Sequence, residues 1–147
     1  MNKREVIEKI KEQILEANNS NDFSKINSDL TKKRLNWLEN NLGDVDEPSI
    51  VKKAYFLLIK KMEIDLSEVP IIFEDEKKIT YRSYNWCPVL EACKELGLDT
   101  REICKKGWEN SVNEFVKKIH PKLTFSRKYN TLRPHGKFCE ETIELIE

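Results

Sequence analysis

Chemistry in this chain would fall to its four cysteines, two histidines and a few arginines. Three of the cysteines lie in the stretch "NWCPVLEACKELGLDTREICKKGW", which also holds two of the three tryptophans. Cys87 stands directly before Pro88. Proline favours the first helical position, so Cys87 is expected at a helix N-cap. Unpaired N–H groups and the helix dipole there stabilise a thiolate, lowering a thiol pKa from roughly 8.5. A capping thiol buried under Trp86 for fit alone is the other reading of the same position. Cys93 shares a helical stripe with Val89, Ala92 and Leu96, and Cys104 heads the series Trp108, Val112, Phe115 and Ile119, so both read as core. Cys139 falls in a strand pattern whose inward face, with Ile143 and Leu145, is interrupted by Glu141.

The spacing C-x5-C-x10-C-x34-C matches neither zinc ribbons nor ferredoxin runs. Convergence in space is all that ligation needs, so a metal ion or iron–sulfur cluster held by Cys87 and Cys139 stands as an expectation beside a catalytic one. His120 precedes Pro121 at a helix end, where an imidazolium complements the dipole. His135 lies in the turn "RPHGK", and a Cys87–His135 pair, or one with His120, would supply a nucleophile and its base. Arg127 and Arg133, with Arg101, offer planar forks for a substrate carboxylate. The acidic turn Glu74 to Glu76 lacks EF-hand spacing, and no glycine-rich phosphate loop is present.

These residues need a scaffold, and 147 residues are enough for one domain with a single core. Lys and Arg balance Asp and Glu at 26 each, which removes the general electrostatic case for nucleic acid or anionic membrane as partner. The longest apolar run, "AYFLLI", cannot span a bilayer. The expectation is therefore a soluble, cytoplasmic protein with reduced thiols.

Helical periodicity fills the first 63 residues. One helix covers roughly 3 to 18, with Asn2 and Glu5 in capping-box spacing. After a loop at "NNSNDFSKINS", a second starts near Ser28 and stops at Gly43, carrying Leu35, Leu38 and Leu42. A third opens at "DEPS", with Pro48 near its first turn, and runs through Met62, its middle apolar nearly all round and so central. "VPIIFEDEKKITYRSY" reads as a hairpin, "CPVLEACKELG" as a short helix, and "DTREICKKGWENSVNEFVKKIHP" as one longer helix. The tail gives two strands around a Pro134 to Gly136 turn. The sum is a single α+β domain over 1–147: a helical N-terminal extension at 1–63, then at 64–147 a β-β-α-α-β-β unit with a small antiparallel sheet. The N-terminal helices are also a candidate homodimer surface.

From residue 80 to 147 the segments "CPVLEACKELGLDTREIC", "HPKLTFSRKYNTL" and "GKFCEETIEL" together resemble the L-2-amino-thiazoline-4-carboxylic acid hydrolase-like domain family. The resemblance implies a small-molecule substrate and hydrolysis of a cyclic amidine, opening a thiazoline ring to an N-carbamoyl cysteine. Cys87 and Cys139 match the family's cysteine positions, and His120 its His-Pro position. Such a reaction needs an activated water or thiolate, a proton donor to nitrogen and a carboxylate anchor. The alternative is a cysteine-based module that binds a metal, cluster or small ligand without catalysis.

Overall fold

The computed structural model describes residues 1–147. Helix α1 (Lys3–Ser20) opens with the expected reciprocal cap. Asn2 Oδ1 accepts from the Glu5 N–H at 2.9 Å, and Asn2 Nδ2 donates to Glu5 Oε1 at 3.0 Å. Helix α2 (Ser24–Asn41) starts earlier than its polar sequence suggests, and the expected loop shrinks to Asn21–Phe23. Asn21 closes α1 in the left-handed region at φ 52°, while Phe23 and Ile26 are buried anchors that draw the first turn of α2 onto the core. Helix α3 (Ile50–Met62) is N-capped by Ser49, one residue after Pro48. It buries Val51, Ala54, Tyr55, Leu57, Leu58 and Ile59, as an all-round apolar helix must.

Strands β1 (Ile71–Glu74) and β2 (Lys78–Ser83) form the hairpin. Its turn is tied by Asp75, whose Oδ1 accepts from the N–H groups of Lys77 and Lys78 at 2.8 Å each. Glu74 in the same acidic run pairs with Lys52 at 3.1 Å. Helix α4 (Pro88–Leu96) ends at Gly97, which sits at φ +66°, where a side chain would be strained. The single longer helix expected next is two: α5 (Thr100–Gly107) and α6 (Glu109–Ile119), broken at Trp108 with φ −126°. Gly107 lies against Phe23 and Ile26, and the break turns the Trp108 side chain inward, 8% exposed.

Strands β3 (Leu123–Arg127) and β4 (Cys139–Leu145) complete an antiparallel sheet of order β1-β2-β4-β3. The α+β class and the small antiparallel sheet expected from the sequence are both present. The inward residues Ile79, Tyr81, Ile143, Leu123 and Phe125 pack with α3, Leu38 and the inner face of α6. A second cluster joins Ile7 and Ile14 of α1 and Phe23 and Ile26 with α4, Ile103 and Trp108. Each fully buried Ile, Leu or Phe stabilises the fold by about 1.5–3 kcal/mol. Of residues 1–63, α3 and Leu38 of α2 pack in the sheet's cluster, while α1 and the start of α2 pack in the second, so α2 contributes to both. No helix is long and apolar enough to cross a membrane.

Candidate functional site

Where the two clusters meet they leave a cavity of about 420 Å³. All six helices and three of the four strands contribute to its wall. Most of the lining is apolar, including Leu58, Ile59 and Met62 of α3, Trp108 and Val112. Into this surface project three guanidinium groups, from Arg34, Arg127 and Arg133, against a single carboxylate, Glu141.

Sheet register makes the first contact. Arg127 of β3 stands opposite Glu141 of β4, and Arg127 Nε donates to Glu141 Oε2 at 3.1 Å. Ser83 of β2 donates its hydroxyl to the other carboxylate oxygen at 2.6 Å. Burial alone would lower the Arg127 pKa, but the Glu141 charge beside it holds the guanidinium well above its ordinary value. Arg127 Nη1 is buried with no hydrogen-bond partner, as is the Tyr129 hydroxyl.

Arg34 has no such counter-ion. It is 7% exposed, and its one hydrogen bond runs from Nη1 to Ser111 Oγ at 2.7 Å, with Ser111 donating in turn to the Trp108 carbonyl at 3.0 Å. Burial, reinforced by the nearby charge of Arg127 and only partly offset by that of Glu141, pushes its pKa down to about 10. A cation left this dry without a carboxylate costs several kcal/mol by order of magnitude.

Arg133 is clamped by the chain around it. Its Nη1 donates to the Asn85 carbonyl at 2.7 Å, its Nε donates to Cys139 Sγ at 3.2 Å, and its own carbonyl accepts from Thr100 Oγ1 at 2.5 Å. The connection from β3 to β4, with a cis Arg133–Pro134 bond, is thereby fastened to the segment before α4 and to the start of α5.

The sequence-expected residues divide between this cavity and the outer surface. Cys87, Cys139, Arg127 and Arg133 all line the cavity, and Cys104 joins them. Cys87 does occupy the N-cap before Pro88, but the expected thiolate-favouring shift is reversed. Burial raises its pKa, outweighing the helix-start N–H groups of Leu90 and Val89 and the charge of Arg133. Burial likewise pushes Cys93, fully enclosed in the core, and Cys104 up to about 12.

Neither histidine lines the cavity. His120 ends α6, and its Nδ1 accepts from the Lys122 N–H at 3.1 Å. His135 is carried to the mouth of α5, where Nε2 lies 3.4 Å from Asp99 Oδ1. Among the side-chain contacts neither histidine is hydrogen-bonded to a cysteine; the "RPHGK" turn, tied to α5 by the Thr100–Arg133 hydrogen bond, gives His135 Asp99 as its partner. Arg101 pairs with the same Asp99, chiefly holding that carboxyl well below the usual carboxylate range.

The metal expectation finds no donor set: no three His, Cys, Asp or Glu side chains come together to hold an ion. Cys87 and Cys139 share a cavity wall, but three guanidiniums in that wall repel a cation, and Arg133 already engages the Cys139 sulfur.

Sequence reasoning missed Arg34, Ser83 and the working role of Glu141. A signal for Arg34 was present, since Leu30, Arg34 and Leu38 recur every four residues, placing a charge in an apolar row of α2. Compared with known proteins, the chain matches no family model, no curated protein and no solved structure.

Proposed function

We propose that the chain binds a small organic anion with an apolar body, its charged group on Arg34 and Arg127 and its body against α3, Trp108 and Val112. The observation that carries this reading is Arg34: a guanidinium 7% exposed, at the wall of an apolar cavity, with no carboxylate of its own. Native proteins pair buried charges, and a ligand carboxylate would supply the missing partner through charge-assisted hydrogen bonds. A volume of about 420 Å³ suits a compact molecule such as an aromatic or heterocyclic acid.

The test is a set of such acids, each matched with its neutral primary amide, in thermal-shift and calorimetric titrations. Acids are expected to raise Tm and amides not, and Arg34→Met is expected to weaken acid binding about tenfold or more. Equal response to acids and amides, or undiminished binding by Arg34→Met, would overturn the reading.

Hydrolysis of a C–N bond in a bound heterocyclic acid is a second reading. It is favoured by two thiols, Cys87 and Cys139, in the wall of the anion-binding cavity, and by the resemblance to the thiazoline hydrolase-like family. It expects ring opening of 2-amino-thiazoline-4-carboxylate that is lost in Cys87→Ala or Cys139→Ala. An intact ring after prolonged incubation with the folded chain counts against it.

A further inference from the structure

We infer that Cys139 is the reactive thiol of this cavity and that it forms a mixed disulfide with a short mercapto-carboxylic acid; the carboxylate part of this inference rests on the anion-binding reading above.

Four observations converge on it. A guanidinium N–H is held on the sulfur, since Arg133 Nε donates to Cys139 Sγ at 3.2 Å while Nη1 is fixed on the Asn85 carbonyl. A positive donor so placed compensates the charge of a sulfur that attacks as a thiolate. The other three thiols lack this arrangement, and burial pushes Cys87, Cys93 and Cys104 upward. Cys139 is half-buried and lines the cavity, so a ligand in it meets the sulfur. Independently, Arg34 is a buried cation in the same wall that lacks a carboxylate.

Strand geometry limits the length of the acid. Cys139 and Glu141 lie on one face of β4, two residues and therefore about 7 Å apart along the strand. Arg127 is hydrogen-bonded to Glu141, so an anion on Arg127 sits near that end of the span. A chain of two or three carbons between sulfur and carboxylate covers such a distance.

The step is a thiol–disulfide exchange with the symmetrical disulfide of the mercapto acid as co-reactant. Cys139 gives its proton to solvent and attacks one sulfur of that disulfide. The ligand's S–S bond breaks, a Cys139–sulfur bond forms, and the other half leaves as a thiolate that takes a proton from water. Cys139 is oxidised to the disulfide level and the departing half is reduced to a thiol.

The experiment compares 3,3′-dithiodipropionate with its uncharged counterpart bis(2-hydroxyethyl) disulfide on the full chain at neutral pH, read by intact mass and peptide mapping. One adduct is expected, on Cys139, forming about tenfold or more faster with the diacid. Arg34→Met is expected to remove the preference for the diacid while the neutral disulfide still reacts at Cys139. Mapping the adduct to Cys87 or Cys104, or equal rates for the two disulfides, would overturn the inference. Because the site is mapped on the unaltered chain, the result does not depend on whether Cys139→Ser folds. If the diacid is not preferred but simple carboxylates still raise Tm, this inference falls alone. If carboxylates also fail to raise Tm, the anion-binding reading falls with it.

Discussion

Arg127 and Glu141 face each other across adjacent strands, joined from Nε to Oε2 at 3.1 Å, with side chains 15% and 11% exposed. The pair sits in the wall of the cavity, where Ser83 takes the second carboxylate oxygen. Glu141 therefore neutralises one of the three guanidiniums in the wall and leaves two, Arg34 and Arg133, in excess. The charge balance of the site follows from this register, because a one-residue slip of β4 would send Glu141 to the opposite face.

Removing one member of the pair should cost far more than removing both. Glu141→Leu leaves Arg127 buried without its counter-ion and is expected to lower stability by about 3–5 kcal/mol. The double variant Arg127→Met with Glu141→Leu should recover most of that loss, since two apolar side chains replace two desolvated charges. Urea denaturation of the wild type, both singles and the double closes the cycle. A double variant no more stable than Glu141→Leu would show that the pair is not the source of the effect.

Arg34 carries the opposite expectation. With no carboxylate in contact and Glu141 already engaged by Arg127, its burial opposes folding, so Arg34→Met should make the ligand-free chain more stable, by about 1–3 kcal/mol, while weakening anion binding. Ser111 keeps a partner in the variant, because its hydroxyl already donates to the Trp108 carbonyl. Equilibrium unfolding without ligand checks the sign, and a destabilised variant would mean that the Ser111 contact outweighs the unpaired charge.

Most of the scaffold was legible because its signals are local. The Asn2–Glu5 cap, the Cys87–Pro88 helix start, the Gly97 stop and the all-round apolar α3 each depend on residues within a few positions. The site was only partly legible because its relations are long-range. Arg127 and Arg133 stood out as forks, but Arg34 meets the cavity through packing of α2 against α6, and its contact with Ser111 spans 77 residues. Cys87 shows the same limit: helix-start chemistry left an acidic thiol and a buried capping thiol both open, and burial, which outweighs the helix-start N–H groups, favours the second. His135 lies four residues before Cys139, yet its partner is Asp99 on another element.

Cys93 gives a pH dependence whose sign can be worked out. Its pKa rises from 9.0 to about 12 in the folded chain because burial disfavours the thiolate. Between those values the unfolded chain has lost the proton and the folded chain has kept it. The unfolded state then binds fewer protons, and stability must fall as pH rises. The contribution is fully present below the unfolded pKa and is lost as pH rises through the folded one. The stability advantage of wild type over Cys93→Ala should therefore narrow between about pH 8 and about pH 11. Urea midpoints at the two pH values measure it, and a gap that stays constant would show that the thiol does not titrate differently in the two states.

Gly107 should behave unlike an ordinary helical glycine. In an exposed helix Gly→Ala gains up to about 1 kcal/mol from propensity. Here an added Cβ would lie 3.2 Å from Phe23 Cδ2 and 3.7 Å from Ile26 Cγ2, both in side chains only 7% exposed. Phe23 cannot swing aside without disturbing the start of α2, so crowding should win by about 1–2 kcal/mol. Alanine also favours continuing α5 through Trp108, and an unbroken helix would carry the indole away from the cavity it now lines. Gly107→Ala is thus expected to lower the unfolding midpoint and to weaken binding of the organic acid together. A stabilised variant with unchanged affinity would mean that the break at Trp108 is set by other contacts and that Phe23 has room to move.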